Sequence, residues 1–152
     1  MKRKLKNLSL VLFIIILSSC GYEPLNKNNS GNLLVISDKI SLGDNRINGK
    51  VFSKLNLKED NGVNGVKFEL NSLKKIDGVS KDKSGNITTY KTTITITVTL
   101  IENEKIIKSK NFSKNFNYSN INNKFDLSKY QKDVERNLIN SLVNSIKIFL
   151  YN

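Results

Sequence analysis

From Tyr90 to Leu100 the chain alternates with a period of two. Tyr90, Ile94, Ile96, Val98 and Leu100 share one parity, and Thr93, Thr95, Thr97 and Thr99 share the other. Strongly β-favouring residues in that pattern predict a strand with one packed face and one wet face. Upstream, Val66, Phe68 and Leu70 alternate with Lys67, Glu69 and Asn71, which predicts a half-buried strand extending toward Ile76. The polar stretch from Asp77 to Asn86 reads as the loop between these two strands. Glu102-Asn103-Glu104 reads as a tight hairpin turn into a further strand from Ile106 through Phe112, Phe116 and Tyr118.

Two segments carry the helical period instead. Ile47, Val51, Phe52 and Leu55 make one face of a helix of about twelve residues, with Asp44 or Asn45 as its N-cap. Gly49 inside it costs about 1 kcal/mol of helix propensity. Near the end of the chain, Tyr130, Val134, Leu138, Leu142, Ile146 and Phe149 recur at steps of four or three, widened by Ile139, Val143 and Leu150. Ser128-x-x-Gln131 reads as the capping box of this last helix. Ahead of the first helix, Leu33-Leu34-Val35-Ile36 and the residues to Ile40 read as a strand buried on both faces. Asn61-Gly62 and Asn64-Gly65 are turn signals. The order is strand, helix, three antiparallel strands, helix. It predicts an α+β domain over residues 33–152, a four-stranded sheet with two helices packed on one face.

The N-terminus has a different pattern. Lys2, Arg3, Lys4 and Lys6 precede an apolar run from Leu8 to Leu17, broken only by Ser9. A run of about ten residues suits a signal-peptide core, whereas a membrane-spanning helix needs ~20. Leu17-Ser18-Ser19-Cys20-Gly21 then supplies an aliphatic residue, two small residues and a Cys, the pattern of a bacterial lipobox. Residues 1–19 are therefore expected to be a cleaved lipoprotein signal peptide. Residues 20–32 follow as a polar tether whose Cys20 thiol carries the lipid. Gly21 stands where an inner-membrane retention signal would place Asp, so the expected destination is the outer membrane.

Composition narrows the chemistry. The 152 residues include no His and one Cys. Histidine-based nucleophile systems, imidazole-bound zinc, internal disulfides and CxxC redox pairs are excluded. Asp77, Asp82, Glu102 and Glu104 fall where solvated turn carboxylates are expected, and no glycine pattern resembles a phosphate loop. Neither an enzyme nor a cofactor is expected beyond covalent acyl chains on Cys20. The surplus is positive: 25 Lys and Arg stand against 13 Asp and Glu. Lys74, Lys75, Lys81 and Lys83 cluster about the middle hairpin. Lys124, Lys129 and Lys132 flank the start of the last helix. Lys108, Lys110 and Lys114 share strand parity with Phe112 and Phe116. Outside the inner membrane such charge attracts phosphorylated lipid or an acidic partner surface, and nucleic acid does not fit the compartment. An AT-rich codon bias toward Lys, Asn and Ile accounts for the charge equally well. Lys on an edge strand also blocks aggregation.

Cys20-Gly21-Tyr22-Glu23-Pro24-Leu25 resembles the mature start of the alphaproteobacterial LptE family of lipopolysaccharide-assembly lipoproteins. The likeness continues through a helix with Arg46 near its start, a long strand pair whose second member opens at Tyr90, and a long final helix. The resemblance implies an outer-membrane lipoprotein, anchored by its lipid and facing the periplasm and a barrel lumen. Its implied role is to plug the β-barrel LptD, help it fold and assist lipopolysaccharide transfer to the outer leaflet. It implies lipopolysaccharide contact through basic residues near the middle hairpin and the last helix. Position and charge make Lys81, Lys83 and Lys124 the candidates. Two other functions fit the same sequence: an auxiliary lipoprotein of a lipid-transport ABC system, and a structural lipoprotein that binds polyanions.

Overall fold

Ile94, Ile96, Val98 and Leu100 are driven out of water by their apolar area, and all four are buried in the core beneath the last helix. The computed structural model describes residues 34–60 and 65–151. The expected signal peptide, Cys20, the tether and the turn signals at Asn61-Gly62 and Asn64 lie outside them. In chain order the elements are β1 (Val35–Gly43), α1 (Asn45–Leu55), β2 (Lys58–Glu59), β3 (Val66–Lys81), β4 (Ile87–Glu102), β5 (Lys105–Ser119) and α2 (Lys124–Tyr151). The strands form one sheet in the order β2-β1-β3-β4-β5. β3, β4 and β5 are an antiparallel meander, while β1 runs parallel to both β3 and β2. A parallel pair needs a crossover connection, and α1 supplies it.

The expected α+β architecture is present, with one strand more than the pattern predicted. β2 is only Lys58 and Glu59 pairing with Val35 and Ile36, too short to leave a periodic trace. α1 lies over β1 and β3, and α2 lies over β4 and β5. Ile47, Val51 and Leu55 of α1 join Leu138, Leu142 and Ile146 of α2 in a single core with Phe68, Leu70 and the β4 isoleucines. Phe52 meets Phe68 edge to face at 5.8 Å, a favoured aromatic geometry.

Three expectations need correction. β1 is not buried on both faces: Ile36 is buried, but Val35 is 40% exposed and Asp38 and Lys39 face solvent. Double burial requires a covering layer on each side of a sheet, and here both helices share one side. Asp77 to Lys81 are not loop but the end of β3, paired with β4 from Asp77↔Lys91 to Lys81↔Ile87. Cross-strand pairing overrides the weak propensity of these polar residues, with a bulge at Gly78/Ser80. The capping box is also displaced. Asn123 Oδ1 accepts from the N–H groups of Phe125 (2.9 Å) and Asp126 (3.4 Å), so Asn123 caps α2 and Ser128 and Gln131 lie within the helix.

At the other end of α1's crossover the pattern held. Asp44 Oδ1 accepts from the N–H groups of Arg46 and Ile47 at 3.0 and 3.2 Å, which makes Asp44 the N-cap of α1. The β4–β5 turn is the tight one expected, with φ of 47° at Asn103 and 62° at Glu104. Two positive φ values are what a type I′ hairpin turn demands.

Candidate functional site

Lys81 closes β3 opposite Ile87, and Lys83 sits in the turn beyond it; both are exposed. Asp82 builds that turn by accepting from the N–H groups of Ser84 (2.8 Å) and Asn86 (2.9 Å). The Asn86 side chain also donates to Asp82, and these bonds hold the carboxyl below its ordinary value. The segment before α2 is tied to the same end of the hairpin. Asn120 Nδ2 donates to the Ile87 carbonyl at 2.7 Å, and Asn120 N–H donates to the Thr88 carbonyl at 2.8 Å. Lys124 thereby lines a shallow cleft of about 690 Å³ with Asp82, Asn86, Thr88 and Tyr90. Lys124 and the hairpin turn are thus brought together. Lys81 and Lys83 stand at the turn but outside the cleft lining.

The sheet face away from the helices is hydroxyl- and amide-rich on β4 and β5. Thr95 pairs with Ser113, Thr97 with Asn111 and Thr99 with Ser109, each joined by a side-chain hydrogen bond of 3.1 to 3.2 Å. Thr93, Thr95 and Thr97 are half-buried. Thr99, expected to be wet, is only 6% exposed, hemmed by strands on both sides. The result is a strip of hydroxyl and amide groups whose donors and acceptors are partly satisfied within the sheet, bordered on the same face by Glu69, Lys75 and Lys91.

The basic and aromatic strip of β5 has structural work. Lys108, Lys110 and Lys114 pair opposite Leu100, Val98 and Ile94, so they lie on the helix-covered side. Lys108 Nζ donates to the Phe149 carbonyl at 2.6 Å and stands 4.5 Å from the Phe149 ring centroid. Lys110 approaches the rings of Phe112 and Phe149. An ammonium at the last turn of α2 satisfies a free carbonyl and favours the negative end of the helix.

A second basic surface was not anticipated. Glu135 of α2 is 9% exposed and reaches between α1 and β3. One carboxylate oxygen accepts from Lys50 and the other from Lys74, each at 2.6 Å. Burial alone would raise this carboxyl, but the two lysine hydrogen bonds outweigh it and hold it below its ordinary value. These groups belong to a recess of about 530 Å³ that also exposes Arg46, Lys54, Lys132 and Arg136. Sequence reasoning noted Lys74 and Lys132, but in other groupings. Arg46, Lys50 and Lys54 at steps of four beside the apolar stripe of α1 were the available signal. Their meeting with Lys74 and α2 depends on the tertiary fold.

A depressed carboxyl pKa contributes stability above the unfolded value near ~4.3, and that contribution is lost as pH falls through the lower native value. Glu135→Gln is expected to cost about 1–2 kcal/mol at neutral pH, since a charged acceptor is lost from two hydrogen bonds. It should also flatten the acid limb of the stability profile. Thermal melts from pH ~7 to ~3 check this, and parallel profiles for the two proteins would contradict it.

No sequence-family model matches the chain, and no curated protein matches it by sequence. Solved structures do share the fold. Rare lipoprotein B from Shewanella oneidensis superposes with a TM-score of 0.53 at 11% identity, covering 76% of this chain and 99% of that one. A minor lipoprotein from Acinetobacter baumannii gives 0.54 at 13% identity, covering 74% and 90%. Lipoprotein B from Nitrosomonas europaea gives 0.52 at 11% identity, covering 80% and 90%. At these identities the likeness establishes the architecture, and it spans nearly all of each neighbour.

Proposed function

We propose that this chain is an outer-membrane lipoprotein of the LptE type, lipidated at Cys20. In this role it plugs and helps assemble the LptD β-barrel that delivers lipopolysaccharide to the outer leaflet. The observation that carries the reading is a coincidence of two independent features. The sequence ends its apolar leader in a lipobox Cys, and the domain beyond it has the fold of solved proteins described as rare and minor lipoproteins. Helix propensity and strand alternation do not require a lipobox, so the two need not have occurred together.

The β4–β5 face supports the plug role. A large barrel has a polar lumen, and a body seated in it must present hydrogen-bonding groups without stranding charges. The Thr, Ser and Asn pairs of that face supply such a surface. Lipopolysaccharide contact is assigned to the hairpin end, where Lys124 shares a cleft with Asp82 and Asn86 and where Lys81 and Lys83 add exposed charge. The test is depletion of the protein in its own cell. Misassembled barrel and lipopolysaccharide stalled on the periplasmic side are expected. A correctly assembled barrel and normal surface lipopolysaccharide after depletion would overturn the reading.

A further inference from the structure

The recess between α1 and α2 lies apart from the hairpin cleft, and the two share no lining residue. Six cationic side chains surround it: Arg46, Lys50 and Lys54 from α1, Lys74 from β3, and Lys132 and Arg136 from α2. They face a single lining carboxylate, Glu135. The cations are held in graded states of commitment. Lys50 and Lys74 share Glu135, Arg136 is paired with Asp133 at 2.9 Å, and Arg46 stands 3.9 Å from Asp44. Among the described residues Lys54 and Lys132 are paired to no carboxylate.

Six like charges converging from three elements repel one another, and the three carboxylates paired with them, Glu135, Asp133 and Asp44, do not neutralise them. Five of the six are exposed to water, which screens that repulsion in part. They ring a concave site whose lining also includes Ile76, Ile139 and the neutral side chains of Ser128 and Gln131. That combination suits a compact multivalent anion carried on a larger neutral body. Guanidinium groups grip phosphoryl oxygens in pairs, and ammonium groups add point charge. No aromatic side chain lines the recess, so it lacks the stacking platforms that a single-stranded nucleic acid uses. Its volume falls in the range of small-molecule sites, well above what one free phosphate fills.

We propose that this recess is a binding site for a phosphomonoester group, distinct from the lysines at the hairpin end. Glu135 competes with the ligand for Lys50 and Lys74, and Lys54 and Lys132 close on the phosphoryl oxygens from the two helices. The site is independent of the barrel-plug reading, because it rests on the recess alone.

The test uses the mature lipidated protein in non-ionic detergent, titrated calorimetrically at low salt. The probes are inorganic phosphate, dihexanoyl phosphatidic acid and, as a phosphodiester control, dihexanoyl phosphatidylglycerol. Saturable one-site binding is expected for the monoester lipid, weaker for the diester. Phosphate binding as tightly as the monoester lipid would assign the site to the free anion, and preference for the lipid would assign it to a headgroup. Lys54→Gln with Lys132→Gln is expected to weaken binding at least about tenfold, the loss of charge-assisted contacts. Glu135→Gln should tighten it several-fold by removing the repelling charge that lines the recess, which a purely structural role would not do. Changing Lys81, Lys83 and Lys124 together to Gln should leave it unchanged. Absence of saturable binding, binding indifferent to Lys54 and Lys132, or loss only in the Lys81, Lys83 and Lys124 variant would overturn the proposal.

Discussion

Replacing Gly43 by Ala is expected to cost about 3 kcal/mol, although it adds a single methyl group at the end of β1. Gly43 has φ of +75°, where a Cβ is disfavoured by about 1–2 kcal/mol. An added Cβ would also stand 2.1 Å from the Ser72 carbonyl oxygen, a backbone atom that cannot rotate aside. That oxygen accepts from the Asp44 N–H at 3.0 Å, and Ser72 Oγ donates back to the Asp44 carbonyl at 3.1 Å. Relieving the clash therefore breaks the bonds that seat the N-cap of α1 on β3. For a domain of this size the loss lowers Tm by roughly 10 °C and removes a large part of a typical stability of ~5–15 kcal/mol. Gly49 is the internal control. Nothing lies within 4 Å of its added Cβ, and it sits in the exposed face of α1. Gly49→Ala should thus stabilise by about 0.5–1 kcal/mol through helix propensity. Denaturant unfolding of both variants decides the matter. Equal and small effects would mean that the β1–α1 corner is not built as described.

The second large effect concerns Cys20. Under the proposed function, Cys20→Ala removes the thiol that must receive diacylglycerol before the signal peptide can be cleaved. The variant should accumulate as a precursor still carrying residues 1–19, held at the inner membrane by Leu8–Leu17 and lacking any acyl mass. Acyl chains contribute about 0.8 kcal/mol per buried CH₂, and two or more are needed for stable anchoring. Among the described residues no helix is long and apolar enough to cross a membrane, so the domain offers no helical substitute for the anchor. Intact mass measurement and separation of the two membranes read the outcome. Mature-sized, unacylated Cys20→Ala protein in the outer membrane would refute the lipobox assignment.

The two effects also mark what the sequence could and could not reveal. The β4 strand was legible because each alternate side chain must be either buried or wet, so its period survives in the residue types. The stripe of α2 was legible for the same reason, over more than twenty residues of a 28-residue helix. Its start was not, because Asn123 and Ser128 both have capping side chains and only the backbone chooses between them. Asp77 to Lys81 misled because polar residues form a strand when a long partner pairs with them, and the partner lies beyond a five-residue window. β2 is two charged residues and has no pattern to read.

The candidate sites divide similarly. Lys124 and the hairpin turn were chosen by charge, and Asn120 brings them together through bonds that no local pattern encodes. The lysines of β5 were chosen by parity with Phe112 and Phe116, and the parity was right. The packing then committed Lys108 to the end of α2 instead of to a ligand. The inter-helix recess escaped notice because its six cations come from three elements that only the crossover and the meander bring side by side.

The central claim is that this domain sits in a barrel. Mild-detergent purification of the mature lipidated protein from outer membranes, with partner identification and stoichiometry, tests it most directly. The account predicts one large β-barrel at one to one that stays bound at high salt, because polar and packed contacts over a wide face are poorly screened. Recovery of an inner-membrane transporter, or of no stoichiometric partner at all, would contradict it.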